Sequence, residues 1–254
     1  MQRMMGLVRR CIEDYRMIEP GDRIAVGVSG GKDSLTLLTL LAALREYVPY
    51  SYDLTAITID MGLGGMDFSP VARLCERLGV PYSRVETEIG PIIFEHRKEN
   101  NPCSLCAKMR RGALNQALLE QGFSKVALGH HYDDAIETVL MGLLYGGQVQ
   151  AMLPRMRAKN YAGMELIRPL CLVRERSVQA WADYCGLTFL PCDCPAKALA
   201  NDTRRAAVKK LIASLAAENP QVEANILNAV KNVDTAKLLG WRDGAGRHSF
   251  LDRL

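Results

Sequence analysis

At 254 residues, 48% of them apolar and 24% charged, the chain can bury a sizeable core as one large domain or as one domain with a small appendage, and its composition is that of an ordinary soluble globular protein. The net charge of +4 permits an RNA partner without announcing one, and the longest apolar run, around Leu35 to Leu44, is too short to span a bilayer. Eight cysteines are too few for a disulfide scaffold, so their clustering matters more than their number.

The first residues, MQRMMGLVRRCIEDY, contain no signal-peptide core, and a cytoplasmic address without a membrane partner is the expectation. Residues 7 to 18 read as an amphipathic helix that ends at Glu19-Pro20-Gly21-Asp22. An apolar strand at 23 to 28 runs into VSGGKDS, Val28 to Ser34, which opens a helix over 33 to 46. A glycine pair between a buried strand and a helix lets the backbone turn tightly and approach a ligand, with the free N–H groups of the helix start facing an anion. Lys32 adds a point charge, and Ser29 and Ser34 add hydroxyl donors. A Walker loop needs glycine six residues before its lysine and Ser or Thr directly after it, where this chain has Val26 and Asp33. The dinucleotide pattern fails too, since Ser29 stands two residues after Gly27. What remains is SGGKDS, the pyrophosphate-loop (PP-loop) pattern of enzymes that split ATP between its α and β phosphates.

Leu54 to Ile59 is a second strand ending in Asp60-Met61-Gly62, and a helix near 69 to 78 stops at Gly79. Tyr82 to Val85 is a third strand. Past a polar stretch come a helix from about 107 to 121, a strand at Lys125 to Leu128, a helix over 132 to 145, a strand at Met164 to Ile167 and a helix at about 174 to 185. From Asn201 the tail reads as helical and carries Arg204, Arg205, Lys209 and Lys210, a candidate for RNA phosphate contacts. The alternation implies an α/β fold, a Rossmann-like, doubly wound parallel sheet with ligands at the carboxyl ends of its strands. The expected organisation is an N-terminal helical segment over 1 to 22, a catalytic domain over 23 to 198 and a helical C-terminal extension over 199 to 254.

Three further groups carry chemistry. In GHHYDDAIET, Gly129 to Thr138, the acids Asp133 and Asp134 stand in a first helical turn, where a carboxylate serves either as an N-cap or as a Mg²⁺ ligand facing the phosphate loop. His130 and His131 are less informative. Cys103-Ser104-Leu105-Cys106, just before a helix, has a distant companion in Cys192-Asp193-Cys194, and this set suits zinc or an iron–sulfur cluster equally. Cys11, Cys75, Cys171 and Cys185 read as packing residues. Lys108-Met109-Arg110-Arg111 follows, with its two arginines pointing in different directions, one toward the site or both in a solvated basic turn.

Taken together, IEDYRMIEPGDRIAVGVSGGKDS, PCSLCAKMRRGAL, ALGHHYDDAIETVLMGLLYGG, IRPLCLVRERSVQAWAD and the LPC at Leu190 to Cys192 resemble the tRNA 2-thiocytidine synthetase (TtcA-type) family across most of residues 7 to 195. The resemblance implies the adenine nucleotide α-hydrolase fold and a [4Fe-4S] cluster on Cys103, Cys106 and Cys192; the compressed PCDCP of this chain adds Cys194 as a substitute for Cys192. It implies ATP held by Val28, Ser29, Gly30, Gly31, Lys32, Asp33, Ser34, Ile59, Gly129 and Asp134, with Mg²⁺ on Asp33, Asp133 and Asp134. In the implied reaction the C2 oxygen of a tRNA pyrimidine attacks the α-phosphate, Asp33 and Asp133 act through the metal, Lys32 with Arg110 or Arg111 neutralises charge, and sulfur then replaces AMP. The implied partners are tRNA, a sulfur donor system (a cysteine desulfurase or sulfide) and a second copy in a homodimer. This chain departs from the family pattern in ITIDMGLGGMDFSP after the second strand and in the compressed PCDCP. The alternatives are a 2-thiouridine synthetase and a PP-loop ATP pyrophosphatase acting on a small metabolite.

Overall fold

The computed structural model describes residues 2–97, 102–158, 161, 163–191 and 204–253. Helix α1 (Gln2–Asp14) precedes β1 (Arg23–Gly27), α2 (Lys32–Leu44), β2 (Asp53–Asp60), α3 (Ser69–Arg77) and β3 (Tyr82–Glu86). A short turn α4 (Ile89–Pro91) passes into a π-helical turn (Ile92–Arg97), followed by α5 (Pro102–Glu120), β4 (Lys125–Ala127) and α6 (Tyr132–Gly146). Strands β5 (Arg155–Arg157) and β6 (Glu165–Ile167) lead to α7 (Glu175–Tyr184), and helices α8 (Arg204–Glu218) and α9 (Val222–Ala229) precede a hairpin of β7 (Gly240–Asp243) and β8 (Gly246–Ser249).

The six-stranded sheet has the order β3-β2-β1-β4-β6-β5, parallel throughout except that β5 runs antiparallel to β6. Strand β1 lies at its centre, and successive residues feed opposite faces: Ile24 and Val26 join α1, α2, α3 and α7 in one core cluster, while Ala25 joins Ile57, Leu118 and Val126 in another. Helices therefore cover both faces, which is the doubly wound arrangement. The α2 sequence LTLLTLLAAL is apolar all round because the helix is buried nearly all round, from Leu35 to Leu44. A third, small cluster of Ile136, Val208 and Ile212 fixes α8 to α6.

Several boundaries differ from the sequence reading. Helix α1 ends at Asp14, not 18, because Arg16 takes a left-handed φ of 48°, although Met17 and Ile18 still pack in the core. Helix α5 starts at Pro102, so Cys103 and Cys106 lie in its first turns and not before it. Strand β5 was not anticipated. The tail is helical over α8 and α9 and then becomes the β7–β8 hairpin, which the sequence reading did not include. The border set between 198 and 199 lies outside the described residues. Among the described residues no helix is long and apolar enough to cross a membrane.

Candidate functional site

The PP-loop sits between β1 and α2 as the strand order requires, at the carboxyl end of the central strand. Gly30 has φ +80°, open to glycine and strained for other residues, and Gly31 is the N-cap of α2, with no side chain closing the helix start. The hydroxyls close the loop on itself. Ser29 N–H donates to Ser34 Oγ at 3.1 Å, Gly31 N–H to Ser29 Oγ at 3.4 Å, and Ser34 Oγ to the Gly31 carbonyl at 3.0 Å. Val28 is buried, its carbonyl accepting from Thr58 Oγ1 at 2.8 Å, and Ile59 is buried at the end of β2. Gly129, after β4, is needed for close approach: a Cβ there would stand 2.8 Å from the Asp33 carbonyl carbon and 3.0 Å from Ser34 N.

Lys32 Nζ lies 2.7 Å from Asp33 Oδ1 and 3.1 Å from Glu175 Oε1. Burial alone would lower its pKa, but these two carboxylates outweigh it and raise it. Glu175 is in turn 2.5 Å from Lys209, and that hydrogen bond, helped by Lys32, holds its carboxyl down at about 2. The sequence reading missed Glu175 altogether. It also took Arg205 and Lys209 for RNA-facing residues, whereas Lys209 engages Glu175 and Arg205 lies 3.1 Å from Asp134 and 3.4 Å from Glu137.

His131, more informative than its sequence context suggested, is the N-cap of α6 in a capping box: its Nδ1 accepts from Asp134 N–H, and its own N–H donates to Asp134 Oδ2 at 3.0 Å. The buried ring gathers all three predicted acids, with Asp33 at 3.8 Å, Asp133 at 3.8 Å and Asp134 at 3.5 Å. Two of the three carboxylates are already committed. Asp133 accepts the Glu175 N–H at 2.7 Å, capping α7 from a distance, and pairs with Arg174 at 3.3 Å. Asp134 has the capping box on one oxygen and Arg205 on the other. Asp33 differs: its Oδ1 faces Lys32 and His131, while Oδ2 has no partner among the described residues. His130 is half-buried and its pKa is pushed down to about 4, first by desolvation and then by Arg168, which donates Nε–H to its Nδ1 at 3.4 Å.

Cys103 is exposed and Cys106 half-buried, three residues apart in the first turns of α5. This spacing puts both thiols on one side of the start of α5. Cys192 and Cys194 lie outside the described residues. Two residues before Cys192, however, Leu190 N–H donates to the Gly30 carbonyl at 3.0 Å, and a Cβ on Gly30 would collide with the Leu190 side chain at 2.5 Å. The chain leading to the third cysteine thus lies on the phosphate loop. The thiol chemistry of Cys103 and Cys106, paired on α5, fits two ligands of an iron–sulfur cluster. Arg110 falls on the stripe of Cys103 and Cys106, half-buried and without a hydrogen bond or ion pair among the described residues. Arg111 is exposed and turns back to donate Nε–H to the Ala107 carbonyl at 3.1 Å. Of the other cysteines, Cys11, Cys75 and Cys171 are buried and Cys185 half-buried, with the Cys11 and Cys171 sulfurs 3.1 Å apart.

Residues 6–213 match the PP-loop domain family. The chain is 42% identical to the tRNA-cytidine(32) 2-sulfurtransferase of Geobacter metallireducens, covering 91% of this chain and 90% of that protein. It is 38% identical to the tRNA-cytidine(32) 2-sulfurtransferase of Anaeromyxobacter dehalogenans over 99% of this chain and 88% of that one. Among solved structures, the U34-tRNA thiolase NcsA from Methanococcus maripaludis with its [4Fe-4S] cluster is similar in fold, with a TM-score of 0.71 at 23% identity, covering 90% of this chain and 79% of that chain.

Proposed function

The chain belongs to the PP-loop family and, within it, to the tRNA-cytidine(32) 2-sulfurtransferases, and on that premise we propose that it replaces the C2 oxygen of cytidine 32 in tRNA by sulfur while splitting ATP into AMP and pyrophosphate. The observation that carries this reading is the hydrogen bond from Leu190 to Gly30, which supports a single cleft for nucleotide and sulfur chemistry.

The backbone N–H groups of the loop and the N-terminus of α2 bind the pyrophosphate, and the Ser29 and Ser34 hydroxyls turn from each other onto it. Lys32 moves from Asp33 and Glu175 to the α-phosphate, where charge develops as the C2 oxygen attacks and pyrophosphate departs. Arg110, on the cysteine stripe of α5, adds positive charge to that transfer. Asp33 would hold Mg²⁺ through the oxygen that has no partner among the described residues, and the ion would supply positive charge to the phosphates there. Asp133 and Asp134 act from behind: one fixes α7 and hence Glu175, the other fixes His131 against Asp33. A [4Fe-4S] cluster held by Cys103, Cys106 and Cys192 supplies, when bound, the sulfur nucleophile the reaction needs. AMP then leaves with the former C2 oxygen, and the new C–S bond becomes the thiocarbonyl.

The sulfur comes from a cysteine desulfurase or from sulfide, the enzyme works in the cytoplasm, and two copies form the working unit; the apolar side chains left exposed at the end of α6 and in the chain after it, Leu143, Leu144, Tyr145, Val149 and Leu153, support such a dimer. The test is deletion of the gene followed by mass spectrometry of the thionucleosides in digested total tRNA. Selective loss of 2-thiocytidine, restored by the wild-type gene and not by Cys103→Ser, is expected. Loss of 2-thiouridine instead would move the acceptor to another base, and an unchanged profile would overturn the reading in favour of a small-molecule substrate.

A further inference from the structure

Strands β7 and β8 pair with Trp241 opposite His248 and Arg242 opposite Arg247. Side chains alternate across strands, so the two rings share one face and the two arginines the other. The ring face is closed by its own residues. Trp241 and His248 stack with centroids 4.8 Å apart, the Arg253 guanidinium lies 3.9 Å from the Trp241 centroid, and His248 Nε2 is 2.9 Å from Asp243 Oδ1. On the other face Arg242 and Arg247 are exposed, and neither has a hydrogen bond or ion pair among the described residues.

Like charges directly opposite one another destabilise a strand pair, and an isolated two-stranded hairpin has little stability to lose. Nearby acids do not relieve the repulsion, because each is engaged elsewhere: Asp234 with Lys237 at 3.3 Å, Asp243 with His248, and Asp252 accepting the Ser249 N–H at 2.7 Å. A ligand with closely spaced negative charges would offset it. The flanking residues on this face are Gly240 and Ser249, so the face offers no apolar anchor of the kind that a protein interface is built around. Phosphate contacts need only the planar forks of the arginines.

We propose that the Arg242/Arg247 face of the hairpin docks the phosphate backbone of the tRNA substrate, an inference that rests on the function proposed above. The arginines position the RNA without reading its bases, so their contribution is independent of sequence and sensitive to salt.

The experiment measures binding of unmodified tRNA to the full chain by fluorescence anisotropy across a salt series, for the wild type, Arg242→Ala/Arg247→Ala and Arg242→Glu. The double variant should bind more weakly at low salt, with a gap that closes as salt rises, and its plot of log K against log salt should be shallower by about 2, roughly one unit per phosphate contact. Arg242→Glu creates a cross-strand ion pair with Arg247, so the hairpin should become more stable to heat while tRNA binding falls. That opposition of signs separates docking from a structural role. Tight wild-type binding with unchanged slopes in both variants would overturn this proposal alone, whereas failure of the wild type to bind tRNA would overturn the parent reading and this one with it. Loss of polyglutamate binding in the double variant, with tRNA binding intact, would give the face to an acidic protein and likewise overturn the proposal.

Discussion

Among the three acids around His131, only Asp33 has an oxygen without a partner among the described residues, and that difference separates residues of similar appearance in the sequence. Asp33→Asn keeps the size and the local hydrogen bonding but removes the charge that a hard cation needs. Thiolation in vitro should fall at least about a hundredfold, the scale on which removing a transition-state charge partner acts. The visible absorbance of the reconstituted protein should stay, because Asp33 is not a thiol ligand, and retained activity would remove Asp33 from the metal role. Cys103→Ser should do the reverse to the spectrum, losing the absorbance under anaerobic reconstitution while leaving ATP binding in place. His130 makes a prediction about pH. Its folded pKa of about 4 lies below the ordinary 6.5, so between those values the unfolded chain binds a proton that the folded chain does not. Stability should therefore decline as pH falls from about 6.5 to about 4, by up to about 1.4 kcal/mol per pH unit, and level out below. Urea titrations of wild type and His130→Asn over that range should show the slope in the first and a flatter profile in the second.

Helix ends do much of the positioning. Asp133 reaches across from α6 to cap α7 at Glu175, the residue that holds Lys32, so Asp133→Ala should cost about 1 kcal/mol of stability by loss of a cap and also loosen the lysine clamp. A urea midpoint shift of that size, with weaker ATP binding, is the expected pair of results; a stability loss with unaltered ATP binding would detach the cap from the clamp. Helix α5 makes its own comparison, since Arg110 shares the stripe of Cys103 and Cys106 while Arg111 bends to the Ala107 carbonyl. Arg110→Ala should lower kcat far more than Arg111→Ala. The strands and helices that surround the PP-loop were legible in the sequence because each is an apolar run closed by a local signal, and SGGKDS was legible because its chemistry sits in one continuous loop. The start of α5 was harder to see: PCSLC has no helical apolar period, and its signal was proline at the first helical position. Strand β5, Arg-Met-Arg, is a polar edge strand of three residues, too short for its alternation to stand out, and the hairpin announced itself only through Asp243-Gly244, where β7 ends and the turn begins. Glu175, Arg205 and Lys209 were not legible at all, because their meaning depends on partners that only the tertiary fold brings near.

At the scale of the whole molecule, the C-terminal helices clasp the site through ion pairs as well as through apolar contact. Beyond the small cluster of Ile136, Val208 and Ile212, the clasp consists of Arg205 with Asp134 and Glu137, Lys209 with Glu175, and Arg174 with Glu223 at 2.5 Å, the last guanidinium lying 4.9 Å from the Tyr132 ring centroid. Each partly exposed pair contributes on the order of 1 kcal/mol or less and weakens in salt, so α8 and α9 should open before the sheet does. The same pairs hold acids of the nucleotide site, which ties the opening of this clasp to the state of the site: Asp134 and Glu175 change partners if the helix leaves. Removing Arg205 also strips the buried Glu137, whose pKa burial has already raised, of a guanidinium that opposes that shift. Arg205→Ala/Lys209→Ala should therefore raise amide hydrogen exchange along α8 while β1 and β4, central and closed on both faces, keep their protection. The same selective loosening should appear in the wild type when salt is raised to about 1 M, where screening reaches within a few ångströms. A uniform rise through helix and sheet would instead mean that the C-terminal helices open only with the whole domain, and the ion pairs would then be fixtures of the fold and not a clasp over the site.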